Sequence, residues 1–345
     1  MATKERLIQF DLLKLFAIYL IIWGHSIGLQ HIDTIDNYIF RILYSFHVAL
    51  FMTISGFFSI SSMSIPFSQL LKKKFMQLIY PCFIWGGIIL IITIIADFES
   101  VTFHYFFTNF WIDLYWYSNY WFLKSCFFCY CIAYIGFSNH NHSRIRIVVS
   151  IIIGLIIEPH MFPCFILGMT LRRHPSYLSV LSKYKYAIFF IFILMLFLLS
   201  KDVWIKSHGL FPTGSISFGY IAEVTFYHSF RLVLSMVGSI SFIVLFYTIN
   251  HTILHFPIFQ RLSEWGLYTL EIYIIHTTIY ERLLISDLFV NNLDISQHLP
   301  PPLFSFFILI LCIYIIKAIY CSDILSKFLF ARTIIHNKTD IIHHY

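Results

Sequence analysis

The sequence predicts an all-α integral membrane protein, a bundle of about ten transmembrane helices, and three observations predict it. Only 12% of the residues are charged while 59% are hydrophobic, whereas a soluble domain needs about 25% charged residues to cover its surface. The apolar residues fall into runs of about 17–25, the length that crosses a bilayer core. The cations collect in alternate connecting segments, the distribution that orients helices in a membrane.

Taken in order, the expected spans run approximately over 7–29, 41–63, 77–96, 119–137, 145–157, 160–172, 184–200, 230–250, 266–285 and 303–321. The fifth and sixth are short and meet at Glu158-Pro159-His160, which predicts a tight hairpin or a pair of tilted helices. Gly209, Pro212, Gly214 and Gly219 make 201–229 read as a loop. With the N-terminus inside, the cytoplasmic segments receive Lys4, Arg6, Lys72–Lys74, Arg144, Arg146, Arg172, Arg173, Lys183, Lys185, Arg261, Lys327, Arg332 and Lys338. The opposite loops receive Asp33, Asp36, Asp97, Glu99, Asp113, Glu223, Asp287 and Asp294. That is the positive-inside pattern, and it predicts cytoplasmic termini at both ends. The net charge of +6 is therefore a topology signal and does not point to nucleic acid. A single polytopic domain over 1–345 is expected, without an internal repeat.

All seven cysteines lie in apolar stretches, where they read as small packing residues; the Cys126-x-x-Cys129 spacing falls on a lipid-embedded helix. No cleavable signal peptide is expected, because the first apolar run is too long and carries Asp11 and Lys14.

An ionisable group inside a span is expensive and is a functional candidate by default. The first helix carries three: Asp11, Lys14 and His25. At 100° per residue, Lys14 lies about 60° and His25 about 40° from Asp11, on one stripe. Along the axis, His25 stands roughly 21 Å from Asp11. The stripe reads either as an interfacial Asp–Lys pair below a capping histidine, or as a charged inner end and a reactive outer end. His47 enters the second helix at a depth similar to His25, as a structural hydrogen bonder or a second reactive group. It is followed by Ser55-Gly56-Phe57, where glycine permits close helix approach. The ninth helix carries Glu271 and His276, about 140° apart and not facing one another. Glu271 must find a cation or be protonated, which suits it to bracing the bundle. Lys124 and Arg231 are placed near outer helix ends, where they can snorkel. Lys72–Lys74 reads as a topology signal or as a phosphate clamp.

On these residues the chain resembles the acyltransferase type 3 family of membrane-bound O-acyltransferases, in its sugar O-acetylase branch. The resemblance runs from Arg6 to about His276 and rests on six motifs in order. They are Arg6-x4-Asp11-x-Leu13-Lys14-x2-Ala17 followed by His25; Ser45-Phe46-His47-Val48-Ala49-Leu50-Phe51 running on to Ser55-Gly56-Phe57; and Lys72–Lys74 leading to Pro81. Tyr120-Trp121-Phe122-Leu123, Phe165-x2-Gly168 and Gly266-x2-Thr269-Leu270-Glu271 through His276 complete the set. Two departures stand out: Lys74 and Gln77 occupy positions where the family often has Arg-x-x-Arg, and Lys14 stands where it commonly has Arg. A lysine offers phosphate a point charge and lacks the arginine fork. The extracytoplasmic hydrolase-like domain that some relatives append is not expected here.

The resemblance implies an acyl-CoA donor, usually acetyl-CoA, presented from the cytoplasm to the inner membrane. It implies as acceptor a hydroxyl of an envelope glycan or lipid-linked sugar, with no metal and no nucleic acid; a homo-oligomer is allowed. Asp11, Lys14, Lys73 and Lys74 are then expected at the donor. His25 is expected as general base, with His47 orienting the acceptor or the thioester and Glu271 bracing the cavity. Trp111, Tyr115, Trp116, Tyr117, Tyr120 and Trp121 read as an interfacial belt or as a sugar-stacking surface. Two other classes remain in view. A proton-coupled transporter or flippase also buries Asp, Glu and His, but consumes no thioester. A structural partner in a glycan-synthesis complex needs no reactive His25.

Overall fold

The computed structural model describes residues 6–29, 34–96, 120–138, 143–207, 218–249, 251–279 and 299–332. The described residues form helices and no strand: α1 (Ile8–Leu29), α2 (Tyr38–Phe57), α3 (Phe67–Lys74), α4 (Tyr80–Ala96), α5 (Trp121–Phe137), α6 (Arg144–Ile157), α7 (Met161–Arg173) and α8 (Pro175–Lys183). After them come α9 (Lys185–Phe197), α10 (Lys201–Lys206), α11 (Phe218–Tyr247), α12 (His251–Leu254), α13 (Pro257–Trp265), α14 (Thr269–Thr278), α15 (Pro301–Tyr320) and α16 (Asp323–Phe330). A 3₁₀ stretch, Phe58–Ser64, extends α2, and a π-helical turn, Phe75–Ile79, joins α3 to α4.

Among the described residues, four segments are long and apolar enough to cross a bilayer: Ile8–Gly28, Tyr38–Ser64, Thr225–Tyr247 and Pro301–Tyr320. The pair Pro175–Lys183 and Lys185–Phe197, bent by 78°, makes a broken fifth. The other expected spans are helical over most of their described residues, but each of these helices is shorter than those four. Glu158-Pro159-His160 is the turn between α6 and α7, as its proline predicts. The reading of 201–229 as a loop is corrected: Lys201–Lys206 is helical, and α11 begins at Phe218, twelve residues before the expected 230. Gly219 lies in the first turn of α11, where helix-breaking tendency matters least, and no glycine or proline follows it before Gly238.

Packing divides the chain into two units. One comprises Ile8–Phe58 with Phe162–Gly266; the other comprises Met1–Leu7, Ser59–Met161 and Leu267–Tyr345.

In the Ile8–Phe58/Phe162–Gly266 unit, an aromatic core joins four helices. Phe46 of α2 stacks on Phe242 of α11 at 4.9 Å, with Phe16 of α1 and Phe192 of α9 against the same pair at 5.2–5.3 Å. The closest approach is between backbones. A Cβ added to Gly56 of α2 would lie 1.9 Å from the Phe165 carbonyl oxygen, and one added to Gly168 of α7 would lie 1.8 Å from that of Thr53. The Ser55-Gly56-Phe57 and Phe165-x2-Gly168 motifs are thus the two halves of one helix crossing. Gly266 does the same for α1, since a Cβ there would sit 2.0 Å from the Asp11 carbonyl oxygen.

In the other unit, Gly136 of α5 meets α6, where Ser150 Oγ donates to the Ile132 carbonyl at 2.8 Å. Tyr134 Oη donates to the Ile65 carbonyl at 3.0 Å, and Trp85 of α4 packs on Phe330 of α16 at 5.7 Å.

Neither backbone at the α2–α7 crossing can yield to a methyl group without separating the helices. Overpacking of this kind costs about 1–3 kcal/mol or more. Gly168→Ala is therefore expected to lower the melting temperature of the detergent-purified protein by several degrees. Gly87→Ala, where the added carbon meets nothing within 4 Å, is the control. Equal melting of the two variants would show that the crossing is not tight.

Candidate active site

Two imidazoles meet one phenol ring between the C-terminal part of α1 and the N-terminal half of α2. Gly24 precedes His25 on α1, and its missing Cβ leaves room for the Tyr44 ring, which would otherwise lie 2.6 Å from that carbon. The His25 ring faces Tyr44 edge-on with centroids 6.4 Å apart, and His47 meets Tyr44 edge-on at 4.7 Å. Phe40 stacks on the other side of Tyr44 at 4.0 Å. These positions recur at three- and four-residue steps on α2, so one helix face carries them all.

His47 is 1% exposed, and its Nδ1–H donates to the Leu43 carbonyl one turn back. In the neutral ring the lone pair therefore sits on Nε2, which is left as an acceptor. His25 and Arg231 both lie within electrostatic range of this imidazole.

Arg231 corrects an expectation. Because α11 starts earlier than the sequence suggests, Arg231 sits about two turns inside the Thr225–Tyr247 span and not at its end. Its guanidinium lies over the Trp204 ring at 5.2 Å and donates to the Ser207 carbonyl at 3.4 Å. Ser235, one turn further along α11, donates to the Ser45 carbonyl and so fixes α11 against α2 beside His47. Tyr44 and Arg231 are the site residues that sequence reasoning missed. A charge inside an apolar run was the available signal for Arg231; Tyr44 offered none.

Near the N-terminus of α1, Lys14 Nζ bonds Asp11 Oδ1 at 3.0 Å, with both side chains buried. The ammonium also lies 4.6 Å from the Phe58 ring centroid. Arg172 of α7 stands over Phe57 at 5.2 Å, and Phe57 stacks on Phe10 at 4.2 Å. Arg172, expected only as a topology charge, thus shares an aromatic platform with Lys14. The axial rise from Lys14 to His25 is about 16 Å at 1.5 Å per residue.

Lys73, Lys74 and Glu271 belong to the other unit. Lys74 closes α3, where its ammonium lies 3.9 Å from the Tyr130 ring centroid and donates to Gln77 Oε1 at 3.2 Å. Burial, with repulsion from Lys73 and Arg332, pushes the Lys74 amine down to about 8, against some attraction from the Cys126 side. Glu271 is 0% exposed and accepts from Tyr320 Oη at 2.9 Å and from the Arg332 guanidinium. Glu271 was expected to find a cation or be protonated; it finds Arg332, a residue counted from sequence only as a topology charge. His276 is buried, and its Nδ1–H donates to the Ile272 carbonyl at 2.8 Å.

Of the expected aromatic belt, Trp111, Tyr115, Trp116 and Tyr117 lie outside the described residues. Tyr120 is buried and shares a 2.7 Å hydrogen bond with Thr278 Oγ1, so it is an internal tether and no part of a belt. Trp121 is exposed.

The arrangement contains a base with an available lone pair, a second imidazole beside it, and cations at the opposite end of the same helix. A family model described as an acyltransferase domain matches residues 7–321, nearly the whole chain. Neither the curated proteins nor the solved structures contain a match. On that coverage, this helical membrane protein belongs to the acyltransferase type 3 family.

Proposed function

We propose that the protein is an O-acyltransferase that moves an acyl group, acetyl in the simplest case, from cytoplasmic acyl-CoA to a hydroxyl of an envelope sugar or glycan. The observation that carries this reading is the meeting of His25 and His47 at Tyr44, on the helix whose inner end bears Lys14. About ten spans in the inner membrane, with both termini cytoplasmic, go with it. The cations then meet the cytoplasm and the imidazoles lie toward the outer face.

His25 takes the proton of the acceptor hydroxyl while that oxygen attacks the thioester carbonyl. As the C–S bond of the tetrahedral adduct breaks, the imidazolium returns the proton to the departing thiolate. An imidazole has nearly the right basicity for both transfers near neutral pH. His47 orients the acceptor. With Nδ1–H committed to Leu43, neutral His47 accepts through Nε2, which favours holding the acceptor hydroxyl over donating to the thioester oxygen. The residues expected at the donor suit phosphates. Lys74 bonds a neutral glutamine, with no carboxylate partner among the described residues; Lys73 adds charge beside it, and Lys14 with Arg172 forms a second cationic site. Asp11 holds Lys14 in place, and Glu271 braces α14 through Arg332.

CoA release from acetyl-CoA by the purified protein, with a crude envelope-glycan extract as acceptor, tests this. His25→Ala is expected to lower kcat about 10²–10⁴-fold, and His47→Ala to act mainly on the KM for acceptor. Equal release by wild type and His25→Ala moves the base to His47 or His276, and no thioester consumption by the wild type favours a transporter.

The Lys74 amine also sets a pH dependence. Its charge is present below about pH 8 and is lost above it, so the KM for acetyl-CoA is expected to rise between pH 7 and 9, the midpoint moving up as phosphate binds. Lys74→Arg should flatten that rise and Lys74→Gln should raise KM throughout. An unchanged KM in Lys74→Gln would remove Lys74 from the donor site.

A further inference from the structure

We propose that the acceptor carries an anionic group, a carboxylate or a phosphate, and that Arg41 and Arg231 bind it beside the two imidazoles. The word acceptor rests on the acyl-transfer reading above; the anion site stands on its own geometry.

Arg41 is 8% exposed on α2, one turn before Tyr44. Its Nη1 donates to the Ile35 carbonyl at 2.7 Å and its guanidinium lies over the Tyr38 ring at 5.4 Å, but Nε is buried without a partner. Arg231 offers its guanidinium to the Trp204 ring and to one carbonyl at 3.4 Å. Trp204 also meets Phe40, the ring stacked on Tyr44. Arg231 thus borders the same aromatic group as His25 and His47, and Arg41 stands on α2 one turn before Tyr44.

Neither has a carboxylate among the described residues. Two acids of this unit are held by lysines, Asp36 by Lys201 and Glu223 by Lys206, all on the surface, and Asp202 is exposed on the helix between those lysines. The exposed lysines hold those two acids while the sheltered arginines go without. Charges withdrawn from water and left uncompensated are costly, so a unit that shelters two such arginines implies a counter-charge supplied from outside. Arginine is also the residue whose planar fork matches carboxylate and phosphate with paired hydrogen bonds. An anion held between α2 and α11 would fix a sugar ring with one hydroxyl toward Nε2 of His47 and toward His25. A phosphate of a membrane lipid has the same chemistry, so the test must separate the two.

Thermal unfolding of the purified protein in phosphatidylcholine nanodiscs, without acetyl-CoA, provides it. The probes are methyl β-D-glucuronide, glucose 1-phosphate and the neutral methyl β-D-glucoside. The two anionic sugars are expected to raise the melting temperature by about 2–4 °C, with no shift from the neutral one. Arg41→Gln and Arg231→Gln should each abolish most of that shift, and Arg231→Lys, which keeps the charge without the fork, should reduce it. His25→Ala should leave it intact, so anion binding survives even if the acyl-transfer reading fails. A shift from all three sugars, a shift from none, or one that persists in the arginine variants overturns the proposal. So does stabilisation that needs phosphatidylglycerol in the disc and no sugar, because the anion would then be a lipid headgroup. Where Arg41→Gln does not fold, the two Arg231 variants decide alone.

Discussion

A bilayer core offers no water to an orphaned donor, so each polar side chain on these helices must find its acceptor in protein. Most find it one turn back on their own helix. Ser26 donates to Ile22, Thr53 to Ala49, Ser55 to Phe51, Ser239 to Ser235, Thr277 to Tyr273 and Thr278 to Ile274. His47 and His276 use the same device through Nδ1. For a serine this is only housekeeping. For an imidazole it fixes the tautomer and aims the other nitrogen away from its own helix, and the chemistry proposed for His47 follows from that.

Charges cannot be quieted by one carbonyl, and they mark where the fold departs from local solutions. Lys14 reaches Asp11 within a single helix, whereas Glu271 draws on Arg332, sixty-one residues away in the chain. Breaking a buried pair by removing one partner costs about 3–5 kcal/mol because the survivor stays uncompensated. These pairs therefore hold the segments that carry them as well as supplying charge. Arg41 and Arg231, like Lys74, have no carboxylate partner among the described residues.

Helix association in lipid gains little from burying apolar surface, so it depends on close contact. Gly56 with Gly168, and Gly266 with the backbone of Asp11, supply that contact within one unit. The consequence reaches the candidate site: α2 is fixed against α7 below His47, α13 ends against α1 at Asp11, and Gly24 lets Tyr44 close on α1. The glycines thus set the positions of residues that do the chemistry without touching it.

Membrane residence and the position of the long apolar helices were legible in the residues, because the length of an apolar run and its flanking charges report directly on a bilayer; the short polar helices between them, such as Phe67–Lys74 and Pro257–Trp265, were not. The Asp11–Lys14 pair was equally legible, since three residues of helix place those groups together whatever surrounds them. So was the need of Glu271 for a cation, though its identity was not, because Arg332 arrives by a long-range path that no local pattern encodes. The start of α11 was misread: Gly219 signals a turn, yet a single glycine in the first turn of a long helix costs only about 1 kcal/mol. Tyr44 between the two imidazoles, and Arg231 beside them, depend on how α1, α2 and α11 meet. Periodicity says which face of a helix is special; it does not say which other face it will find.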